Sequence, residues 1–161
     1  MLKNFLNIFD KPIDFKKGTV IFAEGEDSNF LYLIKSGEVR IFKKNQEKLI
    51  PITVVRDQEF IGELSMFSDE KRSATAVATQ DSTLVMVKKN DIRKVLKTCP
   101  EWVTNIMVTI SDRLRNSVDM LREHKIVDDV IDMGNELTPK EEKDYLKKIS
   151  DYMTRKGITT K

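Results

Sequence analysis

One stretch of the chain decides the fold: Phe60-Ile61-Gly62-Glu63-Leu64-Ser65-Met66-Phe67, followed after four residues by Arg72-Ser73-Ala74-Thr75-Ala76. The pattern predicts a strand, a tight turn at Gly62, a short helix, a loop and a second strand. Glycine at the turn lets the backbone approach a ligand, because it has no Cβ atom. The first amides of a helix have no partner within the helix, and such donors bind anions well. The stretch therefore predicts an anion-binding turn.

Two charged side chains lie beside this turn. The Arg72 guanidinium has a fork of donors that matches two phosphate oxygens. The Glu63 carboxylate repels a phosphate but accepts hydrogen bonds from sugar hydroxyls, and Ser73 adds neutral contacts through its hydroxyl and amide. The alternative interpretation is a surface ion pair between Glu63 and Arg72, which stabilises a fold very little. In this pattern, the two charges favour a ligand that carries ribose and phosphate.

Short apolar runs separated by turn residues surround this stretch as far as residue 90. They predict strands over residues 20–22, 30–34, 39–42, 49–55, 75–78 and 83–87. Pro51 interrupts one run and predicts an edge strand or a bulge, because proline has no N–H for the ladder. Many short strands at this spacing predict a sandwich or a small closed barrel.

Beyond residue 90 the apolar residues follow a helical period. A short helix is predicted over residues 92–97, with Asn90 or Asp91 as its N-cap. A long helix is predicted from Trp102 to about Met133. Its apolar stripe, which suits packing on the barrel or on a second subunit, consists of Val103, Met107, Ile110, Leu114, Val118 and Leu121.

A final helix is predicted after Thr138-Pro139-Lys140-Glu141. This run combines an N-cap, a proline at the first helical position and a capping-box glutamate. The apolar face that follows, up to Arg155, is narrow, and we expect this helix to pack back on its own domain rather than to bind a partner.

The ordered combination of these motifs resembles the cyclic nucleotide-binding domain family and its phosphate-binding cassette. The residues that carry the resemblance are 60–65 and 72–75, with 15–18, 21–25 and 31–39 upstream, and it covers roughly residues 13–125. It implies a mostly β fold with flanking helices (α+β), in the form of an eight-stranded jelly-roll barrel with a helix inside the cassette and helices after the barrel.

The resemblance also implies the roles of individual residues. Glu63 is expected to bind the ribose 2′-hydroxyl, and Arg72 the cyclic phosphate. The full set of expected binding residues is Ile61, Gly62, Glu63, Leu64, Ser65, Arg72, Ser73 and Ala74. Contacts to the base come from the helix after the barrel in this family, and the candidates are Asn116, Ser117 and Arg122. Ser73 does not decide between cAMP and cGMP.

Three segments are expected along the chain. They are an N-terminal helical lead-in over residues 1–12, a cyclic nucleotide-binding domain over 13–133 with the long helix, and a helical appendage over 134–161. No effector domain is recognisable in the appendage. The expected function is a cAMP or cGMP receptor, not an enzyme, that signals to an unknown protein effector through movement of its C-terminal helices.

Composition weighs against the alternatives. Lys and Arg total 28 against 26 for Asp and Glu, without the concentrated basic excess typical of nucleic-acid-binding proteins. The segment after Met133 is too short for a helix-turn-helix with its supporting elements, so a DNA-binding regulator ranks low. His124 is the only histidine, which disfavours a cupin-like metalloenzyme with several histidine ligands. A ligand-free barrel that acts as a protein-interaction scaffold stays open.

The remaining expectations concern location and assembly. Cys99 is the only cysteine, so no intramolecular disulfide is possible and a reducing compartment is favoured. The first residues lack a secretory signal, and no run is long enough to span a membrane. We therefore expect a cytoplasmic protein with no cofactor, metal, nucleic acid or membrane contact. A homodimer through the long helix is expected because its stripe is longer than one barrel covers.

Overall fold

Two four-stranded antiparallel sheets form the centre of the protein. The computed structural model describes residues 11–67, 70–123 and 137–159. The strands are β1 (Ile13–Phe15), β2 (Val20–Phe22), β3 (Phe30–Ser36), β4 (Val39–Asn45), β5 (Lys48–Val55), β6 (Phe60–Ile61), β7 (Thr75–Ala78) and β8 (Ser82–Lys88). Their order is β1-β8-β3-β6 in the first sheet and β2-β7-β4-β5 in the second. All six apolar runs predicted as strands are strands, and the predicted mostly β fold with flanking helices is confirmed.

Pro51 occupies the position that its chemistry requires. It lies on β5, the last strand in the order of the second sheet. The register between β4 and β5 shifts beside it, between Ile41 and Phe42. Both expectations, an edge strand and a bulge, are confirmed, because each removes the need for an N–H at the proline.

Apolar side chains from both sheets meet between them. The buried members are Ile21, Phe22, Tyr32, Ile34, Val39, Val55, Ile61, Ala76, Ala78 and Leu84. Removal of this apolar surface from water is the main favourable contribution to folding. Phe22 and Ile61 also border the cavity described below, so the core supports the wall of the candidate site.

In the described part of the chain, three α-helices follow β8: α1 (Lys89–Leu96), α2 (Glu101–Glu123) and α3 (Pro139–Lys156). The predicted start of α1 was wrong: its N-cap is Lys88, which has extended backbone, rather than Asn90 or Asp91. The backbone amide of Lys89 donates to the Asn29 carbonyl at 2.9 Å, so a tertiary contact sets the start of this helix. Residues 1–10, the expected extension of α2 over 124–133, and the side chains of Leu121, Arg122 and His124 lie outside the described residues.

The predicted stripe of α2 divides into two parts. Val103, Met107 and Val118 are half-buried. Ile110 and Leu114 are both 48% exposed. The helix therefore packs only part of its apolar surface against its own domain.

Helix α3 lies on the outer face of the second sheet. The Thr138 hydroxyl accepts a hydrogen bond from the Glu141 amide, and the Glu141 carboxylate accepts one from the Thr138 amide at 3.0 Å, so the predicted capping box is confirmed. Buried members of the outer cluster are Tyr145, Ile149 and Met153 from the helix, with Val20, Ala23, Phe42, Leu49 and Val77 from the sheet side. The helix packs on its own domain, as expected.

Polar contacts at both ends of α3 fix its position. The Glu142 carboxylate accepts from the Leu49 amide on the edge strand β5 at 3.0 Å. The Tyr152 hydroxyl lies 3.0 Å from a carboxylate oxygen of Glu26 and 3.3 Å from the Ile21 carbonyl. Burial, together with the neighbouring Glu26 charge, raises the pKa of Tyr152 above its ordinary value. The hydroxyl therefore keeps its proton and donates it.

Replacement of Ile149 by Ala is expected to lower the free energy of unfolding by about 2–5 kcal/mol, because a buried aliphatic side chain is lost and a cavity remains. Lys147→Ala, on the exposed face of the same helix, is the control, with an expected change within about 0.5 kcal/mol. Chemical denaturation followed by circular dichroism measures both. Equal effects of the two substitutions would contradict the packing of α3 on the sheet.

Candidate functional site

The turn after β6 has the geometry that the sequence predicts. Gly62 has left-handed backbone with φ of 83°, and a single 3₁₀ turn follows over Glu63–Ser65. The Met66 amide donates to the Glu63 carbonyl at 2.9 Å. A Cβ atom on Gly62 would collide with Nη1 of Arg72. Glycine is thus required twice, by its backbone angle and by the close approach of the arginine.

A cavity of about 480 Å³ opens beside this turn. That volume lies within the usual range of small-molecule sites. All eight predicted binding residues border it: Ile61, Gly62, Glu63, Leu64, Ser65, Arg72, Ser73 and Ala74. The rest of its wall is largely apolar and comes from Phe22, Ile41, Ile52, Thr53, Val54, Val55, Glu59, Phe60, Leu114 and Val118.

Arg72 is buried in the wall of this cavity, with 4% of its surface exposed. Its Nη1 donates to the Gly62 carbonyl at 3.0 Å and lies 3.3 Å from the Ser65 hydroxyl, and its Nη2 donates to the Phe30 carbonyl. The guanidinium carbon lies 4.1 Å from the centre of the Phe22 ring, at cation–π distance. These hydrogen-bond acceptors are all uncharged, so the arginine is not engaged as the surface ion pair of the alternative interpretation.

The charge of Arg72 is incompletely satisfied in this environment. Its Nε has no hydrogen-bond partner among the described residues. Burial lowers the pKa of Arg72 from its ordinary value, while nearby acidic groups oppose that shift. An arginine nevertheless keeps its charge in proteins, and a buried charge is stable only when paired. An anion in the cavity would provide that pairing.

The main chain of Arg72 is held as well as its side chain. Its amide donates to the Glu26 carbonyl at 2.8 Å, and its carbonyl accepts from the Gly25 amide at 2.9 Å. The loop after β2 therefore fixes the backbone from which the guanidinium extends.

Glu63 is exposed within the open part of the site. Partial removal of water by the surrounding wall raises the pKa of its carboxyl above the ordinary value of 4.5. Hydrogen bonds from the backbone of Glu63 and Gly62 and the charge of Arg72 oppose this shift. The carboxylate therefore interacts electrostatically with Arg72, and it is exposed enough to accept a hydrogen bond from a ligand hydroxyl.

Ser65 has a structural role in the turn. It is 1% exposed, and its hydroxyl lies 2.7 Å from the Ser28 hydroxyl and 3.2 Å from the Gly62 carbonyl. These contacts connect the turn to the loop before β3. Ser65 therefore borders the cavity while its hydroxyl is engaged within the protein.

Sequence reasoning missed a basic residue that connects α2 to the turn. Arg115 donates from Nη1 to the Lys71 carbonyl at 3.1 Å and from Nη2 to the Leu64 carbonyl at 3.3 Å. Its neighbours on the helix face, Leu114 and Val118, border the cavity. The position of Arg115 next to the apolar stripe could have identified it, because a helix residue beside such a stripe faces the body of the protein.

The candidate base-contact residues lie elsewhere on α2. Asn116 and Ser117 are exposed, and the Ser117 hydroxyl donates to the Arg113 carbonyl at 2.9 Å. Of the described helix residues, those that border the cavity are Leu114 and Val118. The Arg122 side chain is outside the described part of the chain. Base contacts by these three residues stay a prediction.

This combination of sheets, glycine turn and arginine agrees with a known family. The family model of the cyclic nucleotide-binding domain matches residues 12–99, more than half of the chain. The chain belongs to the cyclic nucleotide-binding domain family. The family expected from the sequence is confirmed.

Two curated relatives with this domain come from bacteria. The CRP-like cAMP-activated global transcriptional regulator of Mycobacterium tuberculosis is 29% identical over 116 residues, which are 70% of this chain and 51% of that protein. The cyclic AMP receptor protein of Thermus thermophilus is 30% identical over 115 residues, 70% of this chain and 52% of the relative. The chain spans about half the length of these relatives.

Part of a larger protein of known structure is similar to this chain. The EAL enzyme Bd1971 in its cAMP-bound form is 27% identical, with a TM-score of 0.64, over 76% of this chain and 33% of that chain. The matched region is thus about half of each curated relative and a third of this solved chain.

Metal-ion clusters and membrane-spanning helices are both absent from the described residues. Within residues 11–67, 70–123 and 137–159, no group of three or more His, Cys, Asp or Glu side chains is placed to hold a metal ion. No helix in this described part is both long and apolar enough to cross a membrane.

In this cyclic nucleotide-binding domain, Gly62→Ala is expected to destabilise the fold by more than the cost of left-handed backbone alone, about 1–2 kcal/mol. The added Cβ must also displace the Arg72 guanidinium. Gly157→Ala is the matched control, because its φ is 66° and its Cβ would meet no atom within 4 Å. Denaturation curves of both variants provide the comparison, and equal losses would contradict the close fit between turn and arginine.

Proposed function

We propose that this chain is a cyclic-nucleotide receptor that binds cAMP or cGMP in the cavity beside Gly62. The observation that carries the proposal is the buried Arg72 guanidinium, whose acceptors are uncharged and whose Nε has no partner among the described residues. A cyclic phosphate has one negative charge and oxygens that match the guanidinium fork.

The other residues of the cavity suit the other parts of such a ligand. The phosphate lies against Arg72, the turn after Gly62 and the amides of Ser73 and Ala74. The ribose hydroxyl donates to Glu63. The base faces the apolar wall that includes Leu114 and Val118. The relatives named as cAMP-activated or as a cAMP receptor, and the cAMP-bound similar structure, support this class of ligand.

We propose binding without covalent chemistry, with α2 as the element that transmits occupancy. Arg115 connects α2 to two backbone carbonyls of the segment that encloses the ligand. Rearrangement of that segment around a phosphate therefore changes the contacts that hold the helix. The protein is then a regulatory domain rather than an enzyme, and its output passes to a protein effector.

Association through α2 is part of the same proposal, with a second copy of this chain as the partner. Trp102 is 62% exposed, Ile106 is 49% exposed, and both line a shallow groove together with Ile110. These residues repeat every four positions, so they form one apolar row along the helix. Exposed apolar rows of this kind mark interaction sites.

Calorimetric titration with cAMP and with cGMP tests the receptor function. Arg72→Ala is expected to weaken binding of the preferred nucleotide by at least about 30-fold, because truncation of one partner in a desolvated charge pair costs about 2 kcal/mol or more. Arg56→Ala is the control, since Arg56 is exposed and pairs with Glu38 at 3.1 Å. Melting curves show whether each variant is folded. If the unmodified protein binds neither nucleotide, the receptor function is wrong and the scaffold alternative takes its place.

The affinity is also expected to depend on pH through Glu63. The carboxylate form accepts the ribose hydroxyl, and the pKa of this carboxyl is raised above 4.5. Binding is therefore full above the raised pKa and is lost as the pH falls through it, earlier than an ordinary glutamate would allow. Titrations at a series of pH values measure this loss. Glu63→Gln is expected to bind more weakly with a flat profile over that range, and a profile unchanged by the substitution would contradict the role of Glu63.

A further inference from the structure

A buried lysine lies directly behind the wall of the site. Lys43, on β4, is 3% exposed and is not among the residues that border the cavity. Its ammonium donates to a Glu24 carboxylate oxygen at 2.8 Å, forms an ion pair with an Asp119 carboxylate oxygen at 2.9 Å, and donates to the Ser73 carbonyl. An ammonium has three N–H donors. Two hydrogen bonds and two carboxylates therefore surround the charge, and such pairing is the condition for a buried lysine to be stable.

The third contact determines how one peptide group of the site is oriented. The Ser73 carbonyl belongs to the peptide that joins Ser73 to Ala74, and the described chain has no cis peptide. In a trans peptide the N–H points away from the C=O. A carbonyl held by Lys43 therefore turns the Ala74 N–H away from the lysine. Ser73 and Ala74 both border the cavity.

The second contact brings α2 into the same arrangement. Asp119 lies one helical turn after Arg115, on the same side of α2. Arg115 binds the carbonyls of Leu64 and Lys71 directly, and Asp119 reaches the Ser73 carbonyl through the Lys43 ammonium. Three backbone carbonyls of the segment 64–73 are therefore connected to one helix through two neighbouring side chains.

We propose that Lys43 is a positioning residue of the anion site. It holds the Ser73–Ala74 peptide so that the Ala74 N–H faces the bound phosphate, and its contact with Asp119 connects α2 to that peptide. The inference rests on the proposed cyclic-nucleotide function. Its physical basis is cooperativity: hydrogen bonds in a chain polarise one another, so a phosphate on the Ala74 N–H and an ammonium on the Ser73 carbonyl strengthen each other.

Substitution of Lys43 tests the first half of the proposal. Lys43→Met is expected to weaken binding of the preferred nucleotide about tenfold, the equivalent of one hydrogen bond to a charged group. Lys43→Arg keeps the charge and the donors and is expected to restore most of the affinity. Lys44→Met is the matched control, because side chains of successive strand residues point to opposite faces. Calorimetry measures the affinities, and melting curves show that each variant is folded.

A spectroscopic readout separates positioning from general stability. In the ¹⁵N-labelled unmodified protein, the nucleotide is expected to shift the Ala74 amide proton downfield, as a hydrogen bond to phosphate does. In Lys43→Met this shift is expected to be lost, while the amide signals of residues 13–36 respond as before. A downfield shift retained in Lys43→Met would overturn the proposal.

Asp119→Ala tests the second half. The nucleotide is expected to change hydrogen exchange in residues 101–123 of the unmodified protein, and this response is expected to fall by at least half in Asp119→Ala. Asp112→Ala, at an exposed position of the same helix, is the control and is expected to retain the response. An equal response in both variants would overturn the connection to α2.

The outcomes distinguish this inference from the proposed function. If the unmodified protein binds neither nucleotide, both are wrong. If it binds and Lys43→Met binds as tightly as Lys44→Met, only the role of Lys43 is wrong. Should Lys43→Met not fold, the Ala74 shift in the unmodified protein and the exchange response of Asp119→Ala decide the matter, and the absence of either expected effect overturns the inference.

Discussion

The candidate site depends on one buried positive charge, the guanidinium of Arg72. The carbonyls of Gly62 and Phe30 and the ring of Phe22 surround it, and the loop after β2 holds its backbone. Segments that are distant in sequence thus converge on a single side chain. Gly62 has no side chain at the point of closest approach, so the turn and the arginine depend on each other. A buried charge without a charged partner is costly, and that cost is the physical basis of the proposed anion site.

The local parts of the site were predictable, because they are written in contiguous residues. A glycine between a strand and a short helix, followed by an arginine before the next strand, leaves few alternative conformations. All eight binding residues that the family resemblance implies border one cavity. The contacts of Lys43 with Asp119 and of Arg115 with Leu64 were not predictable from local patterns. They depend on where a helix lies against a sheet, and periodicity shows only which face of the helix is apolar. For the same reason periodicity did not show that Leu114 and Val118, rather than Asn116 and Ser117, border the cavity.

In helix α3, too, the local sequence predicted one feature and left a tertiary contact unidentified. The capping box predicted the start of the helix, but the sequence analysis did not identify the surface that the helix covers. A signal for that surface exists in β4, where the neighbouring residues Ile41 and Phe42 are both apolar, so that both faces of the strand must be buried. One face meets the other sheet and the second meets α3. An amphipathic helix at a distance in sequence was the available cover.

The contact of Tyr152 with Glu26 has a practical consequence for anyone who cuts or fuses this module. The Glu26 carbonyl accepts a hydrogen bond from the Arg72 amide, and the Glu26 carboxylate contacts Tyr152. Helix α3 therefore supports the loop that holds the arginine. The family match ends at residue 99, well before that helix. A biosensor trimmed at the family boundary would therefore lose a support for the candidate site and expose the apolar outer face of the second sheet. The structural unit of this cyclic nucleotide-binding domain is longer than the segment that the family model matches.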